Sequence, residues 1–446
     1  MRRRGRRTGD FSVERQNFSG PSRRAAFRLA FSAATERSDR GVARIGLALL
    51  ETASVESASR GGGGESRQSS QPTRSNFLPF REAAMPMNQD AAASATPDTR
   101  PKPRILISRM SAIGDVVLTL PVACALRDHF PDAYLGWVVE SKSAPMVRGH
   151  RALDTVIELP RGWFTSPAGI AAARAALLAH RFDVSVDCQG NTKSSLAGWL
   201  SGAKQRIGFG GRHGGELSRL LNNDRVRPVF SHVTDRSLEL LTPLGVVHPT
   251  VRWDLPLPDS STRWAAQFRR SLPPGRIVTL NPGGSWPSKL WEADRFAATA
   301  RYLTDRYGYH SLVVWGSFEE RLMAEQIVES SRGTATLAPD TSLHSLAALI
   351  GTTDLFISGD TGPLHMAVAL GVPTIGLYGA TRPGDSGPYG QPALQVEYES
   401  GSRRHRRKAD NRAMRAIGVE HVCGLIDQWH VQPAAMSVFP SSRRAA

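Results

Sequence analysis

Cysteine is scarce. Cys124, Cys188 and Cys423 stand far apart in 446 residues, which excludes a disulfide framework and a paired-cysteine zinc site and leaves reduced, packed thiols as the expectation. Long apolar runs are missing too. None approaches the roughly 20 residues needed to cross a bilayer, and the best candidate, IGLALL at 45–50, ends at Glu51. The opening MRRRGRRTGDF has arginines but neither the apolar stretch nor the small-residue cleavage site of an export signal, so a cytoplasmic location is expected. Familiar signatures are absent as well. No G-x-G-x-x-G follows the first strand-like run, which argues against a dinucleotide cofactor. GNTKS at 190–194 has the Lys-Ser of a P-loop without its glycine spacing, and neither H-E-x-x-H nor G-x-S-x-G occurs. The expectation is a protein with no cofactor and no metal.

What the chain does have is positive charge: 56 basic against 40 acidic residues, a formal +16. Residues 1–100 hold 17 Arg, no Lys and 10 acids. They are rich in Ser, Gly and Ala and lack sustained periodicity, which predicts a disordered extension to be set aside from the fold. The rest of the excess lies in the following part, with a cluster at 403–415, RRHRRKADNRAMR. Such charge favours an anionic partner. No recognised nucleic-acid module is visible, so nucleic acid is not expected.

From residue 104 the pattern changes. RILISR is a short β-branched run, and 113–129 follow with helical spacing. Strands are predicted over 133–140, 154–160 and 182–190, with an Ala-rich helix at 167–181. The proline-rich stretch 255–275 interrupts this pattern, which then restarts. Strands at 276–284, 310–317, 353–362 and 372–379 alternate with helices at 294–308, 319–331, 342–352 and 363–371. Alternating strands and helices indicate parallel βαβ units. The expected division is a first α/β domain over 101–258, a linker at 259–274, a second α/β domain over 275–430 and a flexible tail at 431–446.

In doubly wound sheets ligands sit beyond the carboxyl ends of the strands, so the informative residues stand at strand–loop junctions. In ISGDTGPLHMAV, Asp360, Thr361 and Gly362 form a turn into a helix, with His365 in its first turn. Free helix N–H groups and the positive dipole end suit phosphate; the alternative is that Asp360 or Thr361 only caps the helix. NPGGSWPSKLW offers Gly283 and Gly284 for close backbone approach and Lys289 as a cation. WGSFEER places Glu319 and Glu320 at a helix start, suited to ribose hydroxyls or to the dipole alone. In the first half, Asp187, Gln189 and Lys193 gather at a strand end. KQRIGFGGRHGG reads as a glycine-rich loop carrying Lys204, Arg206, Arg212 and His213. These basic groups suit an anionic substrate.

Four ordered motifs together resemble the bacterial lipopolysaccharide heptosyltransferases, glycosyltransferase family 9: SRMSAIGDVVLTLPV, FDVSVDCQGNTKS, NPGGSWPSKLWEADRF and SGDTGPLHMAVALGVPTIGLYGATRPGDSGPYG. The resemblance runs from about 104 to 430. It implies a GT-B fold, two Rossmann-like domains facing a central cleft, with acceptor on the first and nucleotide sugar on the second. It implies metal-independent, inverting transfer of heptose from ADP-L-glycero-D-manno-heptose to a Kdo or heptose hydroxyl of the lipopolysaccharide inner core. The alternative is a family relative that uses another nucleotide sugar for a cell-surface glycan. By the same resemblance Asp115 matches the catalytic base and Lys289 the lysine that steadies the leaving pyrophosphate. Gly283, Gly284, Glu320 (in preference to Glu319), Asp360, Thr361, Gly362 and His365 match the donor site. Gln189, Lys193, Arg206 and Arg212 fall on the acceptor side, for an anionic lipid A/Kdo-type partner, and the basic run fits peripheral contact with the inner membrane face. The DTG and PGDSGPYG wording is closer to the first of the family's enzymes than to the second. The chain departs from the family at KLWE, where Lys-x-Trp-Pro is common, and at SRRHRRKADNRAMRAI, which replaces a Cys-containing segment.

Overall fold

In the computed structural model, residues 102–432 other than Glu216 are described. The extension expected at 1–100 and all but the start of the tail expected at 431–446 lie outside them. Two six-stranded parallel sheets occupy a single compact unit.

The first sheet comprises β1 (Arg104–Ser108), β2 (Tyr134–Glu140), β3 (Thr155–Leu159), β4 (Val184–Asp187), β5 (Gln205–Phe209) and β6 (Asp224–Val226). Their spatial order is β3-β2-β1-β4-β5-β6. The second comprises β7 (Ile277–Asn281), β8 (His310–Val313), β9 (Ala335–Leu337), β10 (Leu355–Gly359), β11 (Thr374–Leu377) and β12 (Ala393–Leu394), in the order β12-β11-β10-β7-β8-β9. Read along the chain, both are the same doubly wound order. The switch points, where successive connections pass to opposite faces, lie between β1 and β4 and between β7 and β10. The central strands are fully buried: β4 (VSVD), β7 (IVTLN) and β10 (LFISG) expose no residue. That is why they read as continuous apolar runs rather than alternating ones. This architecture is the GT-B fold that the sequence resemblance implies.

Helices cover the sheets: α1 (Ile113–His129), α2 (Pro167–Leu178), α3 (Thr192–Leu200), α4 (Val233–Glu239), α5 (Asp259–Ser271), α6 (Ala293–Tyr307), α7 (Phe318–Ser330), α8 (Leu343–Ile350), α9 (Gly362–Ala369), α10 (Arg403–Lys408) and α11 (Val419–Val431). One buried cluster runs from Ile105, Val116 and Trp137 through to Leu346, Phe356 and Leu364, so it draws on both sheets. A second, around Val278, Trp291, Phe296 and Trp429, belongs to the later half. The stretch expected as a linker contains α5, which packs on α8.

Three local readings change. Gln205–Phe209 is a strand, so the glycine-rich loop begins only at Gly210; Gly208 and Gly210 blurred its apolar signal. The basic run folds into α10 and a short helical turn at Arg412–Arg415. Val431, expected as the first residue of the tail, belongs to α11.

The helices α1 and α9 pack together, with their N-terminal turns in contact. A Cβ added to Gly114 would lie 2.7 Å from His365 Cδ2 and 3.3 Å from Gly362 Cα, and one added to Gly362 would meet Ile113 Cγ2 at 3.2 Å. Only glycine permits this approach. Gly114→Ala is expected to destabilise the protein by about 1–3 kcal/mol through overpacking, seen as a lower urea midpoint at unchanged slope. Gly384→Ala, which meets no atom within 4 Å, should stay within about 0.5 kcal/mol of the parent.

Candidate active site

The loops after β1, β4, β7 and β10 emerge at the two switch points. Asp115 follows β1, where the backbone turns into α1 at Ile113. It stands at the third position of the helix, and its Oδ2 accepts from Ala112 N at 3.2 Å, half of a capping box. Its Oδ1 pairs with the Arg109 guanidinium at 2.9 Å; the arginine side chain is 6% exposed and the aspartate 39%. The helix dipole favours the carboxylate at this end. Capping and chemistry are therefore compatible, because an ionised carboxylate has about four acceptor positions and the Asp115 side chain still reaches solvent. Arg109 is fixed in turn. It donates to Cys188 O, and its own carbonyl accepts from Trp137 Nε1 at 2.9 Å.

The loop after β4 buttresses this turn. Asp187, fully enclosed, accepts from Gly190 N, Gln189 N and Asn222 Nδ2. Its burial raises the carboxyl above its usual range, against the pull of those hydrogen bonds. Gln189 reaches across: its Oε1 accepts from Met110 N at 2.9 Å and its Nε2 donates to Ser111 Oγ at 3.4 Å. Lys193 donates to Ser111 Oγ at 2.8 Å and pairs with Glu140 at 2.6 Å. Gln189 and Lys193 thus surround the turn that leads to Asp115, and the Lys193 charge is already matched. Arg212 is exposed on the loop after β5, bonded to His213 at 3.0 Å. Arg206 lies elsewhere. It sits toward the amino end of β5, opposite Ser185, and its guanidinium donates to Leu221 O and Ala203 O.

Arg236, which motif reading passed over, belongs with this group. It stands on α4, which is tied to α1 by Thr234 Oγ1 donating to Leu118 O at 2.9 Å. Burial lowers the tendency of its guanidinium to hold a proton; the Arg109 charge adds to this and the Asp115 charge opposes it. Arg236 donates to Ser231 O and has no ion pair among the described residues. A basic residue on an amphipathic helix carries no sequence mark that would separate it from a surface charge.

Across the junction, Lys289 Nζ lies 2.7 Å from Asp360 Oδ2 and 3.2 Å from Asp360 O, and 4.5 Å from the centre of the Trp286 ring. Asp360 Oδ1 faces His365 Nε2 at 3.4 Å. Burial pushes the Asp360 carboxyl up, but the His365 hydrogen bond and the Lys289 charge outweigh it and hold the group far below the usual carboxylate range. Thr361 occupies the cap position of α9 without capping it. Its hydroxyl accepts instead from Asn281 Nδ2 at 3.0 Å and lies 3.0 Å from Ser358 Oγ. No side chain caps the first turn of α9 with a hydrogen bond, so its N–H groups suit an anion. Asn281 and Ser358, opposite each other on β7 and β10, were not singled out in the sequence because Asn and Ser at strand ends are commonplace.

Glu320 closes the far side of this half. It accepts from Gly316 N at 2.8 Å, and its carboxylate lies so close to Gly283 that a Cβ there would meet Oε1 at 2.5 Å. A Cβ on Gly284 would meet Leu290 at 2.9 Å. Glu319 is exposed and bonded to Ser317, so Glu320 is the carboxylate turned toward the loop after β7. Gly283, Gly284, Lys289, Glu320, Asp360, Thr361, Gly362 and His365 therefore line one sheet end. Asp115, Gln189, Lys193 and Arg212 line the other, and the two groups join where Gly114 touches His365.

Because Arg109 fixes one Asp115 oxygen, removing it should misplace the carboxylate rather than weaken ligand binding. Arg109→Met is expected to lower kcat about 100-fold, the scale of a 1 Å misplacement, with KM little changed. Arg109→Lys should recover part of the loss in steady-state kinetics.

Comparison with known proteins places the chain in a family. The chain is 28% identical over 306 residues to lipopolysaccharide heptosyltransferase 1 of Escherichia coli K12, covering 65% of this chain and 91% of the relative. It is 27% identical over 292 residues to the lipopolysaccharide core heptosyltransferase OpsX of Haemophilus influenzae, covering 64% and 81%. Among solved structures, the E. coli heptosyltransferase WaaC with ADP superposes with a TM-score of 0.59 at 24% identity, over 75% of this chain and 99% of that one. The E. coli ADP-heptose heptosyltransferase II gives 0.60 at 20%, over 74% and 99%. The profile of glycosyltransferase family 9 (heptosyltransferase) matches residues 170–414, more than half the chain; the protein belongs to that family and is a glycosyltransferase.

Proposed function

We propose that this glycosyltransferase moves heptose from ADP-L-glycero-D-manno-heptose to a Kdo or heptose hydroxyl of the lipopolysaccharide inner core, inverting the anomeric centre without a metal ion. One observation carries the reading. Asp115, held by Arg109, stands beside an uncapped helix N-terminus that is itself flanked by the Lys289–Asp360–His365 cluster. A base and an anion site are thereby joined across the contact between α1 and α9. The names of the relatives support the heptose, and the ADP of the WaaC structure supports the nucleotide.

The chemistry follows from these positions. The acceptor hydroxyl, held on the first-sheet side, loses its proton to Asp115 as its oxygen attacks the anomeric carbon. The bond from that carbon to the phosphate oxygen breaks on the opposite face, which inverts the centre. ADP departs with the bonding electron pair. Its developing charge meets the N–H groups of α9 and the Lys289 ammonium, preorganised donors of the kind that stabilise a transition state; this supports a reaction that needs no metal. Glu320 is suited to accept from ribose hydroxyls beside Gly283. Arg212 and Arg236 supply positive charge for an anionic acceptor, whereas Arg206, committed to backbone carbonyls, takes no part. The reaction belongs at the cytoplasmic face of the membrane, where a lipid A-type acceptor is presented. No helix among the described residues is long and apolar enough to cross a membrane.

The test is ADP release from ADP-heptose with and without a Kdo-bearing lipid A acceptor, in EDTA throughout. Acceptor-dependent release is expected, and Asp115→Asn should lower kcat by about 100- to 10,000-fold, the usual contribution of a general base. Release only from another nucleotide sugar would replace the donor and leave the family intact. Loss of turnover in EDTA that Mg²⁺ restores would overturn metal independence.

A further inference from the structure

The basic run, which the sequence suited to the inner membrane face, folds over the Lys289 loop. Helix α10 is fastened there on several sides: Ser288 Oγ donates to Arg406 O at 2.5 Å, Arg406 Nη1 donates to Ala380 O at 2.7 Å, and Asn411 Nδ2 donates to Leu290 O at 3.1 Å. Ser402 caps the helix by accepting from His405 N. Residues four apart share a helix face, and this divides the run in two. Arg403 and Arg407 turn toward Trp286, at 6.0 and 5.2 Å from its ring centre, while Arg404 and Lys408 form another exposed pair.

The same indole carries Lys289, at 4.5 Å. Three cations thus gather on one ring. Like charges so close favour an anion among them, and the carboxylates of the same segment are paired: Glu399 with His405, Glu397 with Arg412, Asp410 with Arg415. Neither Arg403 nor Arg407 has an ion pair among the described residues. Asp360 already balances Lys289, so that pair alone offers a diphosphate little net positive charge. The two arginines make up the difference. Their planar forks suit phosphate oxygens, and the aromatic face orients them in advance.

We infer that Arg403 and Arg407, laid on Trp286 beside Lys289, bind the diphosphate of the nucleotide donor, making α10 part of the donor site. This rests on the reading above that a nucleoside diphosphate occupies the loop after β7.

The test is calorimetric titration of the full chain with ADP and with AMP at fixed ionic strength. Arg403→Gln/Arg407→Gln is compared with Arg404→Gln/Lys408→Gln, which removes the same charge from the other face; circular dichroism melts verify folding. The first pair should raise the ADP Kd about tenfold or more, the scale of losing charge-assisted hydrogen bonds. Its AMP Kd should change less than about threefold, and the second pair should leave both ligands within about twofold. Arg403→Lys/Arg407→Lys, which keeps charge without the fork, should fall between and serves if the glutamine pair fails to fold. An unchanged ADP Kd in the first pair, or equal weakening in both pairs, would overturn the assignment. Equal loss of binding to phosphatidylglycerol vesicles in both pairs, with ADP affinity intact, would instead give the helix to the membrane surface. If the parent protein bound none of ADP, GDP, UDP and CDP, the donor reading itself would fall and the inference with it; parent binding indifferent to the first pair removes the inference alone.

Discussion

The close approach of Gly114 and Gly362 is the constraint on which the site depends. Two helices from two different sheets pack with their N-terminal turns in contact, so their positive dipole ends converge, each worth about half an elementary charge. By itself that arrangement is repulsive. Asp115 at one end and Asp360 at the other supply the opposing charge, and each is gripped by a base, Arg109 or Lys289. The carboxylates therefore serve the junction and, in the mechanism proposed, the chemistry together. A larger residue at either glycine would drive a side chain into His365 or Ile113 and part the two ends.

Most charges at the junction are already matched. Arg109 with Asp115, Lys193 with Glu140 and Lys289 with Asp360 are close pairs, each with at least one partner largely withdrawn from solvent. Such pairs hold geometry more than they add stability. What remains to meet an anionic ligand is a smaller set: the uncapped first turn of α9 and the arginines without carboxylate partners among the described residues, Arg212 and Arg236 on one side, Arg403 and Arg407 on the other. The division follows the two substrates proposed for the enzyme, each anionic and each met by its own half of the molecule.

Much of this was legible in the chain. Continuous apolar runs mark strands buried on both faces, and the helix at 113–129 and the turn at 360–362 stand where the pattern of βαβ units puts them. Asp115, Lys289, Asp360 and His365 could be picked out because each sits beside a glycine-bearing turn at a strand end. Arg206 shows where that reasoning stops. Its neighbours look like a loop, yet it lies on a strand, facing carbonyls at the wrong end of the sheet. Arg109, Asn281 and Ser358 were passed over for the opposite reason, since their types are ordinary and only their partners distinguish them.

The sequence by itself determined the two parallel sheets, the loops at their strand ends and the family, because periodicity and turn residues are local properties and the four motifs keep their order along the chain. Tertiary structure alone decided which charges are spent and which are free. Pairs such as Arg109 with Asp115 are close in the chain, but Lys193 meets Glu140, Lys289 meets Asp360, and Arg407 meets Trp286 from residues 53, 71 and more than a hundred positions away. A charge acts through distance and burial, and neither is written in the spacing of residues along the chain.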